Sequence, residues 1–105
     1  MTDALVVLTT LPNADAAAEL AKTVVGEKLA ACANIVPGMR SIYRWEGKVQ
    51  DENEVLVLLK ARRDGFARLK SRILELHPYE VPEVIAVSID QGHDAYLNWI
   101  VRETS

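Results

Sequence analysis

One cysteine, no long apolar run and little excess charge mark this 105-residue sequence. Cys32 has no second cysteine to pair with, so an internal disulfide is excluded, which fits a reducing cytoplasm. The acidic, polar start Met1-Thr2-Asp3 does not resemble a secretory signal, and no stretch approaches the ~20 apolar residues that span a bilayer. We therefore predict a cytoplasmic protein with no membrane partner.

The distribution of charge argues against nucleic acid as a partner. The formal net charge is −3, whereas binding to a phosphate backbone needs clustered Lys and Arg. An RNA-recognition strand would also be basic and aromatic, but Lys60 is the only cation in the segment 54–60. The sequence thus predicts no nucleic-acid partner.

Motifs of common enzymes and cofactor sites are also missing. There is no glycine-rich phosphate loop, no Ser/His/Asp grouping and no closely spaced carboxylate pair for hydrolysis. The first apolar run leads into Thr9-Thr10-Leu11-Pro12. A copper chaperone of the fold predicted below would need paired cysteines at this place. These absences predict a protein that is not an enzyme and has no organic cofactor.

The first half of the chain alternates between strand and helix patterns. The Val- and Leu-rich run Ala4–Thr10 predicts a buried strand. Asn13 is a suitable N-cap for a helix whose apolar spacing continues to about Ala31. Cys32–Trp45 then predicts a long strand, interrupted by a bulge at Pro37-Gly38 because proline cannot donate to a strand ladder.

The second half continues this alternation. A turn at Glu46-Gly47-Lys48 precedes the predicted strand Glu54–Ala61, and Asp64 is a candidate cap for a second helix. His77-Pro78 ends that helix, and Glu83–Ile89 predicts another buried strand. The apolar positions at helical spacing are Phe66, Leu69, Ile73 and Leu76 in the second helix and Tyr96, Leu97 and Ile100 in a short last helix.

The predicted order is therefore β-α-β-β-α-β with an extra C-terminal helix, in a single domain over residues 1–105. This is the ferredoxin-like, split βαβ arrangement of the α+β class. We predict a four-stranded antiparallel sheet with the two connecting helices on one face.

The central hairpin predicts an oligomer. A 14-residue strand rising ~3.3 Å per residue spans ~45 Å, whereas a compact domain of this length is only about 33 Å across. Its far end carries Ile42, Tyr43, Trp45 and Val49, which are costly to expose to water. A ring of three chains would cover every exposed edge, although a hairpin that curls over its own sheet fits the same pattern.

Few side chains are candidates for chemistry, and each also has a structural interpretation. Cys32 is a soft metal ligand or a small buried side chain. His77 is a metal ligand or the cap of a helix C-terminus. Glu83 fits an ordinary charge at a strand edge, and Trp45 and Trp99 fit packing anchors as well as ligand stackers.

Three long motifs resemble one known family. They are Leu29–Gly38 (LAACANIVPG), Ser41–Gly47 (SIYRWEG) and His77–Glu83 (HPYEVPE), and their order and spacing agree along essentially the whole chain. Together they resemble the CutA divalent-cation tolerance proteins. The resemblance implies a ferredoxin-like subunit in a homotrimer similar to the PII signalling proteins, with a role in tolerance of divalent ions, copper above all.

The resemblance also implies site residues. Cys32 and His77 match the family's cysteine and the histidine of its HPY motif, so a divalent or copper ion, weakly bound, is the expected cofactor. Thr9 and Leu76 stand where metal-binding members can have a further cysteine and histidine, which removes the ligands that favour copper most. By analogy with PII-like trimers, an intersubunit cleft would gather Tyr43, Trp45, Lys60, Tyr79 and Glu83.

Two functions follow as hypotheses. The first is a non-enzymatic trimer of metal homeostasis that binds a divalent ion weakly or transiently. The second is a PII-like regulator that binds a small ligand or a partner protein in the cleft between subunits.

Overall fold

The structure, a computed structural model, describes residues 2–105. Its elements are β1 (Ala4–Leu11), α1 (Ala14–Gly26), β2 (Cys32–Trp45), β3 (Lys48–Arg62), a 3-10 turn (Arg63–Gly65), α2 (Phe66–Leu76), β4 (Ile85–Ser88) and α3 (Asp94–Glu103). The strands form one sheet in the order β2-β3-β1-β4, and each pairing is antiparallel. The predicted α+β fold with its four-stranded antiparallel sheet and C-terminal helix is confirmed.

The main core lies between one face of the sheet and helices α1 and α2. Alternate residues of β1 and β3 point to this face because side chains in a strand alternate between its two sides. Helix α1 contributes Leu20 and Val24, and α2 contributes Leu69 and Ile73. Burial of each such side chain stabilises the fold by about 1.5–3 kcal/mol. The strand positions in this core are Leu5, Val7, Leu11, Val55, Val57, Leu59 and Ala61.

Helix α1 begins as predicted and ends earlier than predicted. The Asn13 side chain accepts a hydrogen bond from the Ala16 amide at 2.8 Å, which confirms the N-cap. The predicted end near Ala31 is wrong, because Lys28 adopts φ 63° and turns the chain. The amides of Lys28 and Leu29 donate back to carbonyls of the last helical turn, a Schellman ending without its usual glycine.

The start of α2 also differs from the prediction. Asp64 does not cap the helix; it lies in the 3-10 turn, and its carboxylate accepts two hydrogen bonds at 2.8 Å from Arg62. The predicted apolar face is confirmed, since Leu69 and Ile73 are fully buried. The helix ends at Leu76, just before His77 and Pro78.

The hairpin of β2 and β3 forms a long arm, defined here as residues 39–54 beyond the bulge. The bulge between Val36 and Met39 is confirmed, with Gly38 at φ 79°. At the tip, Glu46 and Gly47 both have positive φ, as a two-residue type I′ turn requires. The longest dimension of the chain is 44 Å, against 25 and 23 Å for the others. The hairpin therefore overshoots the rest of the domain, as predicted.

Strand β3 starts at Lys48, six residues before the predicted Glu54. Segment 48–53 lacks apolar alternation, so side chains did not indicate a strand there. Its backbone nevertheless pairs with β2 up to Trp45 opposite Lys48, and Arg40 binds Asp51 across the arm at 2.7 Å. Cross-strand pairing extends the strand where sequence pattern does not.

Strand β4 is shorter and more exposed than predicted. It covers Ile85–Ser88 rather than Glu83–Ile89, and it was expected to be buried. Ile85 and Val87 are instead 51% and 50% exposed in the single chain. The prediction of a buried strand is wrong for one chain because no element of that chain covers these two side chains.

The sheet face opposite α1 and α2 is largely open and apolar; we call it the open face. Helix α3 covers only one end of it, where Ile100 packs against Ala4 and Ala31. Elsewhere its apolar side chains are only partly buried or exposed. By strand alternation and register, these residues are Val6, Leu8, Val36, Leu56, Leu58, Ile85 and Val87. Within residues 2–105, none of the helices combines the length and apolar character that crossing a membrane requires.

Candidate functional site

A groove of about 640 Å³ lies between the arm and the loop that follows α2. We call it the arm groove. The arm and strand β1 supply one side of it, and residues 78–83 supply the other. Its lining residues are Thr10, Ser41, Ile42, Tyr43, Trp45, Glu54, Pro78, Tyr79, Glu80, Val81 and Glu83.

Strand alternation explains why these side chains meet. Tyr43 pairs with Gln50, which lies on the same side of β3 as Glu54. Thr10 pairs with Leu56, two residues beyond Glu54, and so points to that side as well. The arm groove is therefore built on the open face at the base of the arm.

Two tyrosine–carboxylate hydrogen bonds hold the walls of the groove. The Tyr79 hydroxyl donates to Glu54 Oε2 at 2.7 Å, and the Tyr43 hydroxyl donates to Glu52 Oε1 at 2.6 Å. Burial and the Glu54 carboxylate raise the pKa of Tyr79 well above its usual value. The hydrogen bond to Glu52 likewise raises the pKa of Tyr43. Both phenols thus stay protonated beside an excess of negative charge.

His77 fixes the loop that forms the second wall. It is buried, its Nε2 lies 2.7 Å from the Thr10 carbonyl oxygen, and the Tyr79 amide donates to its Nδ1 at 3.2 Å. Because Nδ1 accepts a hydrogen bond, the proton of the neutral ring is on Nε2 and is donated to Thr10. The ring also contacts that of Tyr79 at a centroid distance of 4.8 Å. Both ring nitrogens are therefore already engaged.

Acidification should destabilise the protein through His77. Burial lowers the pKa of His77 below 6.5, so the unfolded chain takes up a proton more readily than the folded one. This contribution is complete above pH 6.5 and is lost as the pH falls toward the folded-state pKa. We expect the urea midpoint to decrease from pH 7 to pH 5.5 in the wild type and to change less in His77→Gln.

The ion-paired carboxylates do not titrate in the range in which His77 is expected to act. Arg72 and Arg62 lower the pKa of Glu27 and Asp64 respectively, so their stabilisation is present above the ordinary carboxyl range and is lost only as the pH falls below about 4.5. His93, the other histidine, is exposed and remains in both proteins. Equal slopes for the wild type and His77→Gln between pH 7 and 5.5 would contradict a role for His77.

Cys32 lies in a different cluster, near the end of the open face that α3 covers. Its Sγ is 3.6 Å from the Tyr96 hydroxyl and 3.9 Å from Lys60 Nζ. Lys60 also donates to the Asn34 side chain. Tyr96 stacks on Trp99 at a centroid distance of 5.7 Å, which supports Trp99 as a packing residue. Cys32 is partly accessible rather than sealed in the core.

Within one chain, the two candidate metal ligands are not together. Cys32 is opposite Lys60, which pairs with Val6, whereas His77 bonds to Thr10, four positions further along β1. At ~3.3 Å per residue, these positions are about 13 Å apart along the strand. Among residues 2–105, no three His, Cys, Asp or Glu side chains are grouped closely enough to hold a metal ion.

The residues expected to share a cleft are mostly neighbours. Tyr43, Trp45, Tyr79 and Glu83 all line the arm groove. Lys60 does not; it lies beside Cys32 instead.

Sequence reasoning missed Thr10, Glu54 and Glu80 as lining residues of the groove. Glu80 lies inside the HPYEVPE motif, which was a usable signal. Neither Thr10 nor Glu54 belongs to a recognised motif, and only the register between β1 and β3 brings them together.

Comparison with known proteins gives a consistent result. Residues 5–103 match the family model described as "CutA1 divalent ion tolerance protein". A Thermus thermophilus protein named divalent-cation tolerance protein CutA is 48% identical over 99 residues, covering 94% of this chain and 96% of that protein. The chloroplastic CutA of Arabidopsis thaliana is 48% identical over 95% of this chain, which spans 55% of that longer protein.

Solved structures agree in fold. The structure of a divalent cation tolerance protein from Thermus thermophilus superimposes with a TM-score of 0.94 at 47% identity, covering 97% of this chain and 99% of that one. CutA from Xylella fastidiosa gives a TM-score of 0.96 at 36% identity, covering 99% of this chain and 100% of that one.

Proposed function

Since this chain belongs to the CutA1 divalent ion tolerance protein family, we propose that it acts as a non-enzymatic homotrimer in tolerance of divalent cations, copper among them, and binds such ions weakly. The family description and the names of the Thermus thermophilus and Pyrococcus horikoshii relatives refer to cation tolerance and name no enzymatic activity. The observation that carries the assembly is the uncovered apolar surface of the single chain.

Two apolar surfaces of the single chain are exposed. On the arm, Ile42 and Val49 are 65% and 69% exposed. The open face adds a second apolar area that only α3 partly covers. Surfaces of this kind on a soluble domain mark interaction sites. Three copies related by a closed symmetry would cover the arms and the open faces together, and leave no unpaired arm.

The chemistry of the candidate ligands supports weak metal binding. An ion that coordinates His77 must displace either the Tyr79 amide from Nδ1 or the proton that Nε2 gives to Thr10. Cys32 is partly accessible but belongs to no group of three or more His, Cys, Asp or Glu side chains in the described chain. The buried Thr9, on the helix-covered face, supplies no thiolate. Such ligands favour transient rather than tight binding of a borderline or soft ion.

Calorimetry on tag-free protein tests the metal proposal. We expect binding of Cu(II), Zn(II) or Cu(I) that is tighter than millimolar but far weaker than at a structural metal site. Cys32→Ser should weaken Cu(I) most, because a thiolate is the softest ligand available. His77→Gln is the matched variant for the second ligand, and its fold is checked by circular dichroism. Absence of binding tighter than millimolar for every ion would contradict the proposal.

A second candidate function rests on the arm groove. Its volume of about 640 Å³ lies within the range of small-molecule sites, and its lining mixes aromatic rings with a few polar groups. We propose that the groove, completed by neighbouring copies, binds a small ligand and makes the protein a PII-like regulator. Because Tyr43 and Trp45 belong to the arm, ligand binding and assembly would then be coupled.

A further inference from the structure

The open face carries opposite charges at its two ends. Every second residue of a strand points to the same side. The residues that β3 places on this side at and beyond the base of the arm are Glu52, Glu54, Leu56, Leu58 and Lys60. The carboxylates therefore lie at the base of the arm, the leucines belong to the apolar area, and the ammonium group lies beside Cys32 at the end that α3 covers.

Lys60 is partly buried and has no carboxylate partner among the described residues. Its Nζ donates to the Asn34 side chain and lies 3.9 Å from Cys32 Sγ, and no ion pair within residues 2–105 includes it. Glu54 is six positions away on the same strand, which is about 20 Å at ~3.3 Å per residue. The positive charge of Lys60 is thus not neutralised within residues 2–105.

The other end of the open face has the reverse imbalance. Glu54, Glu80 and Glu83 line the arm groove, and its lining contains no lysine or arginine. None of the three carboxylates forms an ion pair within the described part of the chain. Glu54 accepts a hydrogen bond from the Tyr79 hydroxyl, which is a neutral donor. The negative charge of the groove is therefore also left without an opposite charge.

A neighbouring copy that covers the open face, as proposed above, must also meet these charges. Covering the face removes water from Lys60, and a buried ammonium group is costly unless an opposite charge pairs with it. A contact in which like ends meet would bring lysine to lysine and glutamate to glutamate, which is repulsive. A contact in the opposite sense lays apolar surface on apolar surface and brings the ammonium group of one chain to the carboxylates of the next.

We propose that Lys60 of a neighbouring copy enters the arm groove and pairs with Glu54 and Glu83, so that two chains share the site. The carrying observation is this complementarity of uncompensated charges at the two ends of one apolar face. The inference rests on the proposed assembly and adds the orientation in which the copies meet. It also makes the groove incomplete in a single chain, because its lining there has no cation.

Exchange of the two charges tests the pairing. Lys60→Glu and Glu83→Lys should each weaken assembly about tenfold, because each brings like charges together at the contact. Glu83 is exposed and has no ion pair of its own to lose within residues 2–105. The chain with both substitutions regains opposite charges between copies and should assemble to within about threefold of the wild type. Light scattering over a dilution series at one fixed urea concentration measures the dissociation of each variant.

Lys48 provides the matched control. It lies on the same side of β3 as Glu54 but at the tip of the arm, opposite Trp45. Lys48→Glu combined with Glu83→Lys should recover nothing of the loss that Glu83→Lys causes. Losses that simply add when Lys60→Glu and Glu83→Lys are combined, or an equal recovery with Lys48→Glu, would overturn the proposed pairing.

A zero-length cross-link gives a second measurement on the wild-type protein. A carbodiimide joins an amine to a carboxylate that it contacts, and peptide mass spectrometry identifies the two residues. Lys60 and Glu54 of one chain are too far apart to be joined, so the expected Lys60–Glu54 link must connect two chains. Lys60 linked only to carboxylates outside the groove, in protein that light scattering shows to be assembled, would reject the orientation and leave the assembly standing. A single-chain mass would reject both.

Discussion

Ile42→Asp is expected to yield dissociated and largely unfolded chains. Ile42 is 65% exposed in the single chain, so an aspartate there would be harmless if the arm remained in water. If neighbouring copies cover the arm, the substitution buries an unpaired charge, which costs several kcal/mol. Obligate oligomers often have no stable folded monomer, so dissociation and unfolding should occur together. Light scattering and far-UV circular dichroism on one sample measure both.

Leu74→Asp is the matched control. Leu74 is an exposed leucine, 49% accessible, on the outer side of α2 away from the arm and the open face. The same change in charge there should alter neither mass nor helix content. Trp45→Asp, on the other side of the arm, should behave like Ile42→Asp. A well-folded single chain from either arm variant would show that the arm is not buried between copies.

Leu58→Ala should destabilise each chain by about 2–5 kcal/mol, as expected for a leucine in a packed core. In the single chain Leu58 is only partly buried on the open face, so without neighbouring copies its truncation should cost clearly less than that of a fully buried leucine. The large value is expected because neighbouring copies cover this face. Urea unfolding at a fixed chain concentration measures the difference.

Leu59→Ala serves as the reference variant for Leu58→Ala. Leu59 lies next to Leu58 in β3 but points to the helices and is fully buried within the chain. Leu59→Ala should therefore cost about 2–5 kcal/mol whether or not the chains assemble. Similar losses for the two variants support a covered open face. A full loss for Leu59→Ala with a much smaller loss for Leu58→Ala would mean that the face stays in water.

The order of the elements could be predicted because local signals agreed with the tertiary structure. The apolar run Ala4–Thr10, the Asn13 cap and the stop at Pro78 each point to the element that is observed. The helix end at Gly26 was not predictable, since the left-handed residue is Lys28 rather than glycine. The start of β3 was missed because backbone pairing, not side-chain pattern, makes 48–53 a strand.

The candidate site could be predicted only in part, for a related reason. Tyr43, Trp45, Tyr79 and Glu83 lie in motifs, and the structure brings them to one groove. Glu54 is an ordinary strand glutamate in sequence, and it becomes part of the site only through its bond to Tyr79, 25 positions away. Contacts between residues distant in sequence carry no local signal.

His77 shows how a motif residue can have a structural role as well. Its ring joins the end of β1 to the loop that forms a wall of the groove. His77 therefore affects ligand binding indirectly, and its removal should perturb the groove even without any metal. This is why the metal test pairs His77→Gln with a check of the fold.

The mass of the protein in solution tests the central claim most directly. Light scattering at micromolar chain concentration should give three times the chain mass of 11.6 kDa, with no smaller species. That result would mean that the apolar arm and the open face are covered by neighbouring chains. A mass of 11.6 kDa from folded protein would contradict the account and remove the shared site at the arm groove with it.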